Sequence, residues 1–521
     1  MKTLKTKHSR REFLADVGKG MVTAAVGYGF AAELGLASAL GEEPAVRLEF
    51  GTLEPLVRMM QDTPVAKLLP ALVEKLRAGT ELRDLVAAGA LANARTFGGE
   101  DYVGFHTMMA LAPGFHMAKE LPAEQQPLPV FKVLYRNTNR IQESGGSEHE
   151  VLHPVIATIT ATPANPGEFL RDATRSKDAA RAEAAFAAVA TTPEDALDAV
   201  LHAMQDDTEV HRTVLPYRAW DLLGLIGREH ATTLLRQSVR YCVKAENSWG
   251  AAGSRSRDLL VKLLDEHKLL SAKPGTREVE DKWVDEMSMT IFKSSPEQAA
   301  AAAAAALAEG IAPDAIGEAI SLAAYQLILR DHGRTPNMEV TGKPIGSVHG
   351  DSIGVHACDS ACAWRNLARV TRPRNTFACL ILGAYQASLD RGNRGGDFFN
   401  WEPLPLARHV SDVKSTEPTG LLHDLDEAIR GNLQGRASGI VQRYGQLGHE
   451  PREVFDLLRR YAISEDGALH AEKFFRTVTE EFATTRPAFR WRQLSALARV
   501  TASEFGRPAP GMAEARELLK V

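Results

Sequence analysis

Residues 295–330 read SPEQAAAAAAAALAEGIAPDAIGEAISLAAYQLILR. Ser295 is a helix-capping residue. Pro296 follows at the first helical position, where a missing N–H costs nothing, Glu297 lies in the first turn, and Gly310 stops the run. Pro313 then opens a second helix, and two helices joined by a short connection lie antiparallel. The same grammar recurs in TPEDALDAVLHAMQ, 192–205. Alanine and leucine dominate throughout, and VIATITAT at 155–162 is the main strand-like run. The expected fold is therefore all-α, a multi-helix array or bundle in two helical halves with long irregular connecting loops. No fixed-period repeat marks a solenoid.

Local signals divide the chain further. The polar, turn-rich SAKPGTREVED at 271–281 is the natural boundary, giving helical domains at 40–272 and 273–521. Pro64 and Pro70 are expected to break the opening helices, Pro113-Gly114 to separate His106 from His116, and Pro487 to divide two C-terminal helices. The irregular stretch 390–420 carries Phe398, Phe399 and Trp401, which should pin it to the body.

The N-terminus carries an address. Ser9-Arg10-Arg11-Glu12-Phe13-Leu14 matches the twin-arginine export pattern, a weakly apolar Gly/Ala stretch follows, and Ala37-Ser38-Ala39 is a cleavage candidate. Residues 1–39 read as a signal peptide, placing the mature protein in the periplasm or otherwise outside the cytoplasm. The export machinery is then one partner. Such a route carries folded proteins, which suits a cofactor inserted before export.

Lys+Arg number 61 against 66 Asp+Glu, so nothing marks a nucleic-acid surface. Four cysteines in 521 residues are not a disulfide scaffold, and no nucleotide-binding glycine motif occurs. The expected partner is a small-molecule substrate.

Candidate chemistry gathers in histidine clusters. GSVHGDSIGVHACDSACAWR, 346–365, places His349 in a glycine-punctuated loop and His356 at the start of a helix. There His356 and Asp359 are i, i+3 neighbours, the pairing by which a carboxylate orients a liganding or basic imidazole. Arg365 follows near the same side, able to hold an anionic group. Cys358 and Cys362, at i, i+4, read as small core residues, with Cu(I) binding the alternative. His149-Glu150-Val151-Leu152-His153 is a literal H-E-x-x-H, the helical zinc-protease spacing. Pro154 argues against a helix there, and Ser147-x-x-Glu150 reads more simply as a capping box. His149 and His153 stay as ligand candidates and Glu150 as a candidate base. His106 and His116 form another group. His211, Trp220, His230 and Tyr241 form a weaker one, read first as packing.

HACDSACAWR, 356–365, resembles the H-A-x-x-x-x-x-A-x-R pattern of the questin oxidase-like family. GFHTMMALAPG, 104–114, is similar to that family's N-H-x-x-M-x-x-A-L segment, with Phe105 in place of the asparagine. The resemblance implies a helical fold, an oxidative ring-opening activity on aromatic polyketides, and roles for His106, His356 and Arg365.

These readings converge on an exported metal-dependent oxidoreductase, oxygenase-like. The expected metal ligands are His106, His149, His153, His349 and His356, and the expected catalytic groups are His356, Asp359, Arg365 and Glu150. Imidazole suits iron or copper, and carboxylates tilt the choice toward iron. The alternatives are a zinc-assisted hydrolase with Glu150 as base and a non-catalytic helical scaffold or binding protein.

Overall fold

The computed structural model describes residues 47–155, 163–248, 254–341, 343–348, 352–392 and 396–521. The export signal, His349 and nearly all of the strand-like 155–162 run lie outside the described residues. Among the described residues there are 23 α-helices and no strand, so the fold is all-α. No helix among them is long and apolar enough to cross a membrane.

The chain opens with α1 (Glu54–Asp62), α2 (Val65–Arg77), α3 (Leu82–Phe97), α4 (Tyr102–Lys119) and α5 (Pro127–Glu143). Pro64 separates α1 from α2, as expected, but Pro70 lies inside α2 and Pro113 inside α4. His106 and His116 therefore share one helix. An interior proline forfeits one backbone hydrogen bond, and the buried surface of α4 compensates: almost every residue from Gly104 to Ala118 is out of solvent.

Next come α6 (Pro166–Arg175), α7 (Ala179–Val189), α8 (Pro193–Met204), α9 (Val210–Ile226), α10 (Ala231–Ser248) and α11 (Ser256–Glu266). Thr192 caps α8 through the Asp195 N–H. Then follow α12 (Asp281–Lys293), α13 (Pro296–Ala308), α14 (Pro313–Arg330), α15 (Ile353–Val370) and α16 (Pro373–Gly392). Ser295 and Gln298 form the reciprocal capping box that opens α13. The short α17 (Ala407–Ser411) interrupts the irregular stretch, where Phe398 is buried and Trp401 stacks on His332 at 4.2 Å while Phe399 is exposed. The chain ends with α18 (Pro418–Arg430), α19 (Gln434–Gln446), α20 (Arg452–Ser464), α21 (His470–Thr484), α22 (Arg490–Glu504) and α23 (Met512–Leu519).

One hydrophobic cluster runs from Val57 to Ala515 through both halves of the chain. Its centre is α15, packed on α14, α16, α9 and α21. Helices α9 and α4 belong to the first half, yet α9 packs on α15 and α4 on α21. Helices α4, α9, α15 and α21 thus form a closed ring of neighbours, each touching the next.

A candidate metal centre of four histidines

Each helix of that ring carries a histidine in its first two turns. His106 is in the first turns of α4, His211 is the second residue of α9, His356 is in the first turn of α15, and His470 is the first residue of α21. Each start has a local cause. Asp101 caps α4 by accepting from the Gly104 N–H and is held by Arg140. Glu209 caps α9 by accepting from the N–H groups of His211 and Arg212, at 3.0 and 3.1 Å. Ser352 caps α15 through the Val355 N–H. Before α21, Ala468 and Leu469 both adopt positive φ, 50° and 68°, a costly turn for side-chain-bearing residues that sets His470 at the helix start.

The four rings form two close pairs, and no three of their ligand nitrogens all lie within 4.8 Å of one another. His106 Nε2 and His211 Nε2 are 3.2 Å apart, and His356 Nε2 and His470 Nε2 are also 3.2 Å apart. Ring centroids between the pairs are 5.2 Å from His106 to His470 and 5.8 Å from His211 to His356. The Tyr102 ring, 58% exposed, leans on His106 with centroids 4.5 Å apart.

The outer nitrogens fix the tautomers. His106 Nδ1 is 2.7 Å from the Tyr102 carbonyl, His211 Nδ1 is 2.6 Å from Glu209 Oε1, and His470 Nδ1 is 3.1 Å from the Ala468 carbonyl. Carbonyl and carboxylate oxygens only accept, so each Nδ1 carries a hydrogen and each neutral ring turns a bare Nε2 inward. Two bare lone pairs then face each other across 3.2 Å in the His106–His211 pair. An extra proton could relieve them, but burial, then the Lys473 ammonium and His211, push the His106 pKa far below its ordinary value. A metal cation relieves them without a proton. Two imidazoles on one tetrahedral ion at the usual bond length have nitrogens about 3.3 Å apart, the spacing each pair already shows. The Nδ1 bonds are the outer contacts by which metal-binding histidines are oriented.

One turn below the rings lies a charged layer. Asp359, 4% exposed, accepts from Thr477 at 2.8 Å, and burial raises its pKa. Lys473 is buried beside it, with its pKa pushed down to about 8 by burial while Asp359 draws it back up. Asp359 does not hold His356: its hydrogen bond goes to Thr477. Thr477 in turn accepts from Arg218, whose guanidinium lies 3.3 Å from Glu480. Tyr217 and Cys362 also donate to Glu480. Cys358 and Cys362 are free, buried thiols with pKa values raised by burial.

The other sequence candidates lie elsewhere. Residues 149–155 are not helical, so the H-E-x-x-H pattern has no zinc-site geometry, and no capping box opens a helix at Ser147. Glu150 is an ion-pair partner of Arg47 and Arg95, at 2.7 and 3.0 Å, and accepts from Gln61. His149 is exposed, and the His153 carbonyl accepts from Arg236. Arg365 pairs with Glu481 at 2.7 Å and donates to the Thr484 carbonyl. It also lines a cleft of about 710 Å³ with Glu318 and Arg486. That cleft is at the far end of α15, about 14 Å of helix rise from His356, so the volume and the histidines are separate places. His116 pairs with Asp221 at 2.9 Å. His211 and Tyr241 do converge, through Glu209, whereas Trp220 packs under Arg228 and His230 lies near Glu229.

Sequence reasoning brought His106 and His356 forward, demoted His211, and missed His470, Glu209 and Lys473. His470 stands alone in GALHAEKFF, where spacing carries no signal. Among the described residues, His423, Asp424 and Glu427 do bring three ligand atoms within 4.8 Å of one another, but on the exposed face of α18, where acidic groups are common without an ion. No family model, curated protein or solved structure matches the chain.

Proposed function

We propose that this chain is a metal-dependent oxidoreductase whose centre is one transition-metal ion held by His106, His211, His356 and His470. The observation that carries the reading is the pair of bare Nε2 atoms of His106 and His211, 3.2 Å apart with both Nδ1 hydrogens already committed. The rings of His356 and His470 lie beside that pair, with centroids 5.2 Å from His106 to His470 and 5.8 Å from His211 to His356. Four neutral nitrogens with no carboxylate among them suit copper or zinc better than iron. His106 and His356 are also the two histidines that the resemblance to questin oxidase-like proteins singles out.

Oxidation is favoured over hydrolysis by what surrounds the rings. A hydrolytic metal site needs a base to take the proton of an attacking water. Glu150 is tied to two arginines. Glu209 is engaged by the His211 Nδ1–H, the Tyr241 hydroxyl and two backbone N–H groups, and Asp359 by Thr477. The ion would supply electron transfer to or from a small-molecule substrate, and the chain's own residues hold the ligand tautomers and exclude bulk water. The ligands span 106 to 470, so they form a site only after folding. Folding and metal loading before export by the twin-arginine route is consistent with that.

The test is elemental analysis of the full chain purified without an affinity tag. About one equivalent of copper or another transition metal is expected, falling to background in His106→Ala and His211→Ala with the CD spectrum retained. A metal-free wild-type protein that still turns over substrate would reject the reading. Metal loss without loss of an oxidant-dependent activity would reject the assignment of the site.

A further inference from the structure

The four rings are not equivalent. His106 and His470 give their Nδ1 hydrogens to neutral backbone carbonyls, at 2.7 and 3.1 Å. His211 gives its hydrogen to a carboxylate, Glu209 Oε1, at 2.6 Å. Charge-assisted bonds of this kind are shorter and roughly twice as strong as neutral ones. They draw the Nδ1 proton away from the ring and leave more electron density on Nε2.

Glu209 is itself constrained. Its other oxygen, Oε2, accepts from the Tyr241 hydroxyl at 2.6 Å and from the N–H groups of His211 and Arg212. Four donors thus converge on the carboxylate, one of them the His211 ring. Tyr241, on α10, competes with His211 for the same negative charge. The contact between Glu209 and His211 is local: α9 begins at the residue after Glu209, and the Glu209 carboxylate both caps that helix and anchors the ring.

We propose that Glu209 is a positioning residue that makes His211 a stronger donor than His106 and His470, with Tyr241 as the group that moderates it. This rests on the metal reading above and deepens it. The two partners then act in opposite directions on the ion. Removing the charge of Glu209 should weaken metal binding. Removing the Tyr241 hydroxyl should leave binding unchanged or tighten it, because the carboxylate then leans wholly on His211. A residue that merely caps α9 would show no such opposition.

The experiment uses the full chain stripped of metal and titrated with Co(II) alone, followed by its visible ligand-field bands. Glu209→Gln keeps an oxygen to cap the helix but loses the charge. Its Co(II) affinity is expected to fall by roughly 10–100-fold, with shifted bands, at an unchanged CD spectrum. Tyr241→Phe is expected to bind as tightly as wild type or more so. Should Glu209→Gln not fold, Glu209→Asp, which withdraws the carboxylate by one methylene, takes its place with the same expected direction. Wild-type affinity and spectrum in the Glu209 variant would overturn the inference, as would equal weakening in both variants. Those results leave the metal reading standing. A wild-type chain that binds no Co(II), indistinguishable from His106→Ala, removes the metal reading and this inference with it.

Discussion

His202 shows at single-residue scale how burial sets a histidine's chemistry in this protein. It is 7% exposed on α8, its Nδ1 faces the Asp198 carbonyl at 3.0 Å, and a Cβ at Gly167 would come within 2.2 Å of that nitrogen. Burial, then the Arg374 guanidinium, lowers its pKa from 6.5 to about 4. Between those values the unfolded chain takes up a proton that the folded chain refuses. Its contribution to stability is therefore complete above about pH 6.5 and is lost as pH falls toward 4. His202→Gln keeps a donor for Asp198 and does not titrate. It is expected to reduce the drop in melting temperature between pH 7 and pH 5, measured by calorimetry; an unchanged drop would refute the assignment. The sequence offered His202 only as part of a well-capped amphipathic helix, because a neighbour such as Arg374, far along the chain, leaves no local trace.

At the scale of elements, the site depends on how closely α15 lies against α14. Gly354 sits two residues before His356, and a Cβ there would stand 2.6 Å from Ile328 Cα and 2.7 Å from its backbone nitrogen. Backbone cannot give way as a flexible side chain can. Gly354→Ala is expected to cost about 1–3 kcal/mol in urea unfolding and to weaken metal binding by displacing His356. The other end of α15 is fastened differently. Arg365 and Glu481 are 2.7 Å apart with side chains 2% and 1% exposed. Arg365→Met leaves the Glu481 charge buried without its partner, a loss on the order of 3–5 kcal/mol. Metal content should be unchanged in the protein that remains folded, since Arg365 is far from the rings; a selective loss of metal would tie it to the centre instead. In the sequence, Gly354 is one of the glycines that punctuate the loop before His356; that it packs against the Ile328 backbone is not legible there.

At the scale of the molecule, the two helical halves share a core and also share the site. Helices α4 and α9 supply two rings from before the 271–281 boundary, and α15 and α21 supply two from after it. An ion held across that junction, as proposed, would stabilise the whole chain. A ligand at 100 times its dissociation constant adds about 2.7 kcal/mol. Calorimetry with and without a chelator is expected to show one transition that moves as a unit when metal is removed. Two transitions, of which only one moves, would confine the ion to one half.

The sequence by itself determined the helices. Alanine- and leucine-rich periodicity, Thr192 and Ser295 with the prolines that follow them, and the stop at Gly310 act over one or two turns, so they can be read without knowing the fold. It also marked His106 and His356 by the residues around them. Only the tertiary structure decided that the rings of these two lie against those of His211 and His470, that Glu209 holds His211 while Asp359 holds Thr477, and that Glu150 and Arg365 serve ion pairs. Pro70 and Pro113 show the same division: each is a local break signal, overruled by the buried surface of the helix that contains it. The physical reason is range. Caps and periodicity are enforced by neighbours along the chain, whereas a ligand set is enforced by which helix ends meet. That is settled by burying one continuous core, a property of the whole chain that no short stretch carries.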